Sequence, residues 1–305
     1  MAGKQKPARR HHVVPKFYLK HWTQPDGRMF AFHLPREQLL PPVKPAEVAY
    51  VKGFHTVIGA ARPDEFEHWL SANVEDPLAR VHQKTLTSLR QQRLLPADLR
   101  ADLDSLTAYQ MLRLPRTREL VKPLLKEAGV PGPLDDSARA WHLEFLRGTD
   151  SFVLNMVLES LAEFQLAVLR APPNRSFWAS DAPVLALHDA IEVRSSSHGF
   201  RSTTRSKMGR LPGLKHPRAQ LYFPLAPDLT AAYFRTSPLL RPYEVQPATR
   251  SNVDWVNERT MAHATQLVFG LYPIAPQTDM WQRIKAYREE VAQADQSAKP
   301  EAGSS

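Results

Sequence analysis

Apolar side chains recur at helical spacing through the middle of the chain. The first run extends over residues 63–92, and Pro77 within it predicts a kink or a restart of the helix. A second run extends from Pro96 to Pro115, where a proline bends or ends a helix, and Asp135 opens a third helical region. The apolar run Ser151–Arg170 predicts one more long helix. The middle of the chain is therefore predicted to be helical.

Short apolar segments bounded by prolines and glycines predict strands on both sides of these helices. The predicted strands are Met29–Leu34, Val48–Val51, Phe54–Val57, Phe177–Ala179, Val184–Leu187, Leu221–Phe223, Thr230–Phe234 and Leu267–Gly270. The proline-rich segment Pro35–Pro45 predicts a loop, and helices are expected again over Asn252–Gln266 and Asp279–Ala292. Strands and helices are segregated along the chain rather than alternating. We therefore predict an α+β fold, a single compact domain with long central helices packed on a small, mostly antiparallel sheet.

Both ends of the chain and one internal segment depart from this pattern. Residues 1–10 predict a flexible basic arm, and the Ser-, Ala-, Lys- and Glu-rich residues 293–305 predict a disordered tail. The predicted domain thus spans residues 11–292. Within it, residues 194–218 predict a long basic loop that contains no acidic residue. Its basic residues are Arg194, Arg201, Arg205, Lys207, Arg210, Lys215 and Arg218.

The charge balance of the chain favours an anionic partner. The formal net charge is +9, and a surplus of this size attracts nucleic acid first, and acidic lipid or phosphorylated ligands after it. The basic loop would contact phosphates and release counterions. Because Phe200 is its one aromatic residue, stacking on single-stranded bases is disfavoured. A solvated insertion without a nucleic-acid contact is the alternative.

Several classes of protein are excluded or disfavoured by what the sequence lacks. The chain has no cysteine, which excludes disulfides, zinc–thiolate sites and cysteine nucleophiles, so a protein-held metal must use His, Asp and Glu. No Gly-x-Ser-x-Gly elbow, phosphate loop or dinucleotide fingerprint occurs. The positive N-terminus lacks a following apolar region, and charged residues interrupt the most apolar stretch, Phe152–Leu169. We expect a cytoplasmic protein that does not enter membranes.

The most unusual segment is the pair His11 and His12, which precedes Pro15 and an apolar-aromatic run. Imidazoles at such a position are candidates for binding a metal or transferring protons. Neighbouring residues of a strand face opposite ways, so adjacency alone does not make the two histidines a ligand pair. A His–Asn–His nuclease finger can start with the same His-His-x-Val-Pro pattern. That finger also needs an asparagine, and residues 13–72 contain none.

These segments resemble a family of prokaryotic domains of unknown function numbered 4238, over about residues 11–271. The most specific motif is the opening His-His-x-Val-Pro-x-x-Tyr-Leu, here His11 to Leu19. The other segments that are similar to the family pattern are Gly53-Phe54-His55-Thr56, Glu75, Gln110 with Arg113 and Pro115, Ser180-Asp181-x-Pro183, Phe223-Pro224-Leu225, and Asn257. The family name implies no established activity.

The polar members of these segments are the candidate site residues. The candidate catalytic residues are His11, His12, Glu75, Arg113 and Asp181, and the candidate supporting residues are Gln110 and Asn257. Imidazoles and carboxylates suit divalent Mg, Mn, Fe or Zn, and an arginine suits a phosphate. If these groups converge, they predict a nucleic-acid-associated phosphodiesterase or nuclease that depends on a divalent metal, whose identity the sequence leaves open.

A non-catalytic interpretation competes with this one. Glu75 lies beside the apolar face of its helix, where a carboxylate needs a partner, and Arg113 is the natural one. With Gln110, these residues would then form a polar network that fixes the register of two helices. Asp181 before Ala182 and Pro183 would be an ordinary turn residue. The protein would in that case be a binding module for a protein or a small anionic ligand.

Overall fold

The structure, a computed structural model, describes residues 10–57, 65–147, 152–187, 219–235 and 240–297, together with Leu214 and Pro217. The first nine residues of the predicted basic arm, the basic residues of the predicted loop and the tail from residue 298 lie outside the described residues. The α-helices described are α1 (Lys16–Leu19), α2 (Glu65–Leu70), α3 (Asp76–Gln91), α4 (Ala97–Leu112), α5 (Pro115–Glu127), α6 (Leu134–Leu146), α7 (Phe152–Ala162), α8 (Arg250–His263) and α9 (Thr278–Ser297). Over this part of the chain, no helix is both long enough and apolar enough to cross a membrane.

The strands of the described residues form three sheets. They are β1 (Arg10–His12), β2 (Met29–His33), β3 (Gln38–Val43), β4 (Tyr50–Lys52), β5 (Gln165–Arg170), β6 (Ala179–Ser180), β7 (Leu185–Leu187), β8 (Gln220–Ala226), β9 (Leu229–Phe234), β10 (Val245–Pro247) and β11 (Leu267–Gly270). The sheet orders are β1-β4, β10-β5-β9-β8-β7 and β3-β2-β11-β6. The β10–β5 pair is parallel and the other pairs are antiparallel. The predicted α+β class with mostly antiparallel pairing is confirmed.

Helix α4 lies at the centre of the helical layer. It packs against α3, α6 and α7, and α3 in turn contacts β8 of the five-stranded sheet. Its buried residues Leu99, Leu103 and Leu106 recur at the spacing that predicted the helix. Each fully buried leucine stabilises the fold by about 1.5–3 kcal/mol. The packing of α4 therefore fixes the position of its C-terminal end, where Arg113 follows.

The helical run over residues 63–92 is interrupted, as Pro77 predicts. Helix α2 leads into a five-residue π-helical turn, Ser71–Glu75, after which α3 begins at Asp76. Pro77 lies in the first turn of α3 and cannot donate an N–H to the π-helical turn before it, so the altered hydrogen-bond pattern falls directly N-terminal to the proline. The predicted kink or restart therefore takes the form of a π-helical turn in a helical segment that is continuous from Glu65 to Gln91.

The prediction of a loop over Pro35–Pro45 is wrong. This segment contains the strand β3, which lies at the edge of its sheet and pairs with β2. An edge strand needs ladder hydrogen bonds on one side alone, so it tolerates Pro41 and Pro42. A register shift opposite the two prolines, between Met29 and Ala31 of β2, marks the irregularity that they introduce.

The prediction of one helix over Ser151–Arg170 is also wrong. Helix α7 ends at Ala162, and Gln165–Arg170 forms β5 between two other strands. Leu166, Ala167 and Val168 are all fully buried, so the strand is a continuous apolar run without alternation. Such a run cannot be distinguished from a buried helix by its periodicity.

Smaller differences occur at the boundaries of elements. The predicted strand Phe54–Val57 is a turn followed by extended chain. Helix α9 continues to Ser297, past the predicted helix end at Ala292 and into the segment predicted to be a disordered tail. Arg10 belongs to β1 rather than to the flexible arm.

Candidate functional site

Strand β1 directs its two histidines to opposite sides, as expected for neighbours in a strand. His11 is fully buried and stacks on His55, with the ring centroids 5.6 Å apart and the planes 10° from parallel. His12 is also buried, and its ring meets Tyr50 edge-on at 6.1 Å. Burial, followed by the charge of Lys16, lowers the pKa of His12. The two histidines therefore belong to different surroundings.

His11, His55 and Glu67 form a group that we call the histidine cluster. The backbone N–H of His55 donates to Nδ1 of His11 at 2.7 Å, and Nδ1 of His55 lies 2.5 Å from Oε2 of Glu67. The potential metal-binding atoms of the three side chains all lie within 4.8 Å of one another. Across the described residues, this is the one group of three or more His, Asp or Glu side chains so arranged.

The hydrogen bonds of the cluster assign its protons. Because Nδ1 of His11 accepts a backbone N–H, that atom carries no proton. A Glu67 carboxylate accepts the Nδ1–H of His55, which leaves the lone pair of His55 on Nε2. That atom is buried and has no hydrogen-bond partner among the described residues. Burial, followed by the charges of Arg113, His11 and Arg118, lowers the pKa of His55 well below its usual value. His55 is therefore a neutral imidazole oriented by a carboxylate, an arrangement typical of metal ligands and general bases.

Arg113 fixes the backbone beside the cluster. Its Nε and Nη2 donate to the carbonyl of His12 at 2.9 and 2.6 Å, and its guanidinium forms an ion pair with Glu75. The predicted partnership of Glu75 and Arg113 is confirmed. The guanidinium is buried, and a buried charge requires such partners. Arg113 therefore holds strand β1 against the end of α4. Its Nε and Nη2 atoms, the donor pair that would bind a phosphate, already bind a carbonyl.

Arg118 plays the same role for the second histidine. Its Nη2 donates to the carbonyl of Phe54 at 2.7 Å, and its guanidinium lies 3.7 Å from the centre of the Phe54 ring. Burial lowers the pKa of Arg118 to about 10. His142 lies between Arg118 and His55, and the ring centroids of His142 and His55 are 6.4 Å apart. Arg113 thus holds the backbone of His12, next to His11, and Arg118 holds the backbone of Phe54, next to His55.

A narrow cleft lies on the other side of Arg113. Glu75, Gln110 and Arg113 line it together with His82 and a set of apolar and aromatic side chains. The enclosed space of the cleft is about 20 Å³, room for about one water molecule. Three of the candidate site residues therefore share one cleft, while His11 lies in the separate histidine cluster.

The sequence model of a protein family of unknown function, DUF4238, matches residues 10–271. The chain belongs to the DUF4238 family. The match contains the histidine cluster and the cleft, and it confirms the resemblance drawn from the His-His-x-Val-Pro motif. No curated protein and no solved structure matches the chain.

In this DUF4238 protein, Asp181 is bound by backbone rather than by the candidate site. Its carboxylate accepts the N–H groups of Thr265 and Gln266 at 2.8 Å and that of Leu267 at 3.2 Å. These bonds connect the end of β6 to the segment that enters β11. The predicted convergence of His12, Glu75 and Asp181 on one metal is not found: none of the three belongs to the histidine cluster.

Asn257 of the DUF4238 chain also serves the fold. Its Oδ1 accepts the N–H of Trp178 at 2.8 Å, and its Nδ2 donates to the carbonyl of Ser176 at 2.9 Å. Both ends of the amide are thus used to hold the segment before β6 against α8. The structure brings Asn257 to the same part of the fold as Asp181, because β6 and α8 are in contact. The seven basic candidates of residues 194–218 lie outside the described residues.

Two residues of the cluster were not among the candidates from the sequence. His55 belongs to the Gly53–Thr56 segment that resembles the family pattern, and this is the signal that could have marked it. Glu67 has no comparable signal, since it is one of several acidic residues near the start of a helix. Only the turn after β4 and the position of α2 bring these side chains to His11.

Proposed function

We propose that this DUF4238 protein is a divalent-metal-dependent hydrolase in which His11, His55 and Glu67 would bind the metal, replacing the hydrogen bonds that now occupy Nδ1 of His11 and join His55 to Glu67. The observation that carries the proposal is the placement of three ligand-type side chains, from three separate segments, within 4.8 Å of one another. Two imidazoles and one carboxylate suit Zn²⁺, Fe²⁺ or Mn²⁺ better than Mg²⁺ or Ca²⁺.

The geometry of the cluster supports an open coordination site. Ligand atoms around a tetrahedral ion are about 3.4 Å apart, so the widest separation of 4.8 Å would have to contract by about 1.4 Å. The 2.5 Å separation of His55 Nδ1 and Glu67 Oε2 would have to open by about 0.9 Å. Three protein ligands leave a fourth position for water or substrate. The side chain of Glu67 is 25% exposed, which gives this edge of the cluster access to solvent. A bound divalent ion would supply Lewis acidity at this edge.

The charges around the cluster favour an anionic ester as the substrate. Arg113 and Arg118 are close enough to affect the pKa of His55, and the chain as a whole carries a net charge of +9. Both guanidiniums are tied to backbone carbonyls and Arg113 is paired with Glu75, so Arg118 and the net charge of the chain supply the attraction for an anion. We infer a phosphodiester, and nucleic acid as its most abundant source.

A second candidate function is a non-catalytic binding module. It is favoured by the use of both arginines, since Arg113 and Arg118 hold the backbone beside His11 and His55. In that case a metal in the cluster would fasten β1 to α2 and would have no substrate. Fully buried histidines are typical of such structural sites.

Metal analysis and an assay of hydrolysis together test the proposal. We expect about one Zn, Fe or Mn per chain in purified protein, and loss of that metal in His55→Gln and Glu67→Gln. His33→Gln is the matched control, because His33 lies on β2 and its imidazole accepts the N–H of Arg36. Bis(p-nitrophenyl) phosphate, DNA and RNA would be offered with and without EDTA. Hydrolysis that EDTA and both variants abolish supports the hydrolase. A bound metal without hydrolysis favours the binding module, and absence of metal binding contradicts both roles for the cluster.

The nucleic-acid part of the proposal has its own test. We expect the logarithm of the Kd for DNA to rise linearly with the logarithm of salt concentration, as phosphate contacts release counterions. The triple variant Arg201→Ser, Arg205→Ser and Arg210→Ser should reduce the slope by about 3, close to one per removed contact. A flat dependence in the unmodified protein would contradict nucleic-acid binding.

A further inference from the structure

Strands β1 and β4 form a two-stranded ribbon, and one face of this ribbon carries basic and aromatic side chains. Arg10 lies opposite Lys52 and His12 lies opposite Tyr50, so these four residues share a face, which we call the basic ribbon face. The contacts agree with this register. The Arg10 guanidinium lies 4.6 Å from the centre of the Tyr50 ring, and His12 meets the same ring edge-on. His11, between Arg10 and His12, points to the opposite side and joins the histidine cluster.

The cations of the basic ribbon face are exposed and lack carboxylate partners. Arg10 and Lys52 are exposed, as is Lys16, which follows β1. Burial, followed by the charge of Lys16, lowers the pKa of His12, which places Lys16 beside the same face. None of these three cations forms an ion pair with another residue that the structure describes. The exposed Lys84, by contrast, pairs with two aspartates. The face therefore presents three positive charges that remain available to an anionic partner.

We propose that the basic ribbon face, with Lys16 beside it, binds the phosphate backbone of a nucleic acid. Arg10 and Lys52 are the central contacts, because cations of this kind release counterions from the phosphates that they meet. The ring of Tyr50 supports the Arg10 guanidinium through a cation–π contact. The strands β1 and β4 contain no acidic residue that would repel the phosphates. Contacts to the backbone alone carry no base specificity.

The composition of the face favours nucleic acid over an anionic lipid surface. Tyr50 is half-buried, and the exposed Val51 points to the opposite face of the ribbon, so no large apolar side chain is available to enter a lipid layer. The next residue of β1 after Arg10 is His11, so the bound backbone would run beside the strand that supplies a ligand to the proposed metal site. The inference rests on the proposed function in taking nucleic acid as the source of the phosphodiester.

Fluorescence anisotropy of a short labelled DNA duplex, titrated in EDTA over a range of salt concentrations, tests the proposal. Arg10→Ser with Lys52→Ser should raise the Kd about tenfold and reduce the slope of log Kd against log salt by about 2, close to one per removed contact. Arg36→Ser with Lys126→Ser removes one exposed arginine and one exposed lysine elsewhere, and it should change neither quantity. Arg10→Lys with Lys52→Arg keeps both charges and should retain the slope.

The outcomes distinguish this proposal from the proposed function. Because the titration is done in EDTA, a loss confined to the Ser variant of the ribbon supports the face even if the histidine cluster binds no metal. An unchanged slope in that variant, or an equal loss in the control variant, would overturn the face as the contact surface and would leave the metal and hydrolysis assays as they stand. Loss of binding in the charge-conserving variant would also overturn the proposal.

The nature of the partner is tested in the same experiment. Absence of DNA binding by the unmodified protein would overturn the proposal. Binding to phosphatidylserine vesicles that the Ser variant of the ribbon abolishes, without binding to DNA, would assign the face to an anionic lipid surface instead.

Discussion

Two polar regions of this protein contain residues from the segments that resemble the family pattern, and they differ in how their hydrogen bonds are satisfied. At the junction of β6 and α8, Asp181 and Asn257 meet backbone groups on every side-chain atom that could accept or donate. Around β1, buried nitrogens of His12 and His55 have no partner within the described residues. In the first region, both side chains are fully used in holding the fold together. The second leaves buried nitrogens that a water, a ligand or a bound ion would satisfy.

The comparison separates residues that the sequence treats alike. Asp181 looks like a candidate acid in the sequence, yet it accepts three N–H groups from the distant segment that leads into β11. His55 looks like one histidine among twelve, yet its lone pair is left buried and oriented. Hydrogen-bond satisfaction, rather than membership of a motif, distinguishes the two roles.

Arg113 provides the largest expected effect. Arg113→Met should destabilise the fold by about 3–5 kcal/mol, because Glu75 and the His12 carbonyl then lose their buried partner. Arg147→Met is the control, since Arg147 pairs with Glu144 on the surface and should cost less than about 1 kcal/mol. Urea unfolding measures both.

The double variant Arg113→Met with Glu75→Leu sharpens this prediction. Removing both charges avoids an unpaired buried carboxylate. The double variant should therefore lose less free energy of unfolding than Arg113→Met alone. If Arg113→Met costs no more than Arg147→Met, the buried pair does not anchor β1, and the contrast between the two regions loses one of its supports.

Asp181 should give the next largest effect. Asp181→Ala removes an acceptor of three N–H groups and should lower the free energy of unfolding by about 2–4 kcal/mol. Asp181→Asn keeps one carbonyl oxygen and should cost about half as much. Metal content should not change in either variant. Loss of metal in Asp181→Asn, measured on folded protein, would place Asp181 in the functional region after all.

The pH dependence of stability should show a smaller effect. Burial lowers the pKa of His82 from 6.5 to about 3. Between these pH values the unfolded state binds a proton on His82 and the folded state does not. The contribution of His82 is complete above pH 6.5 and declines as the pH falls toward 3. Between pH 7.5 and pH 5, it should cost about 2 kcal/mol.

His82→Gln isolates this contribution from other titrating groups. Urea unfolding at pH 7.5 and pH 5 should show a smaller loss of stability in the variant than in the unmodified protein, by about 2 kcal/mol. An identical pH dependence in the two proteins would show that His82 does not stay neutral in the fold.

Local patterns in the sequence predicted much of this fold. Leucine spacing predicted α4, and Pro77 marked the start of α3, because helix periodicity and proline chemistry act within a few residues. The alternation of a strand predicted that His11 and His12 face opposite ways. β5 was missed, since a strand buried on both faces shows no alternation.

The cluster was less predictable, since it depends on contacts between residues distant in the chain. The hydrogen bond from His55 to His11 spans 44 residues, and it forms only because β4 pairs with β1. Sequence spacing does not encode such a register. The ion pair of Glu75 and Arg113 was predictable from chemistry alone, because a carboxylate on an apolar face needs a buried cation.

Zinc titration of the metal-free protein by calorimetry tests the central claim most directly. We expect one Zn²⁺ per chain for the unmodified protein and for Asp181→Asn, and at least a hundredfold weaker binding for His55→Gln. Circular dichroism would confirm that all three proteins are folded. Equal zinc binding by folded His55→Gln and the unmodified protein would contradict the account, because the histidine cluster would then not be the metal site.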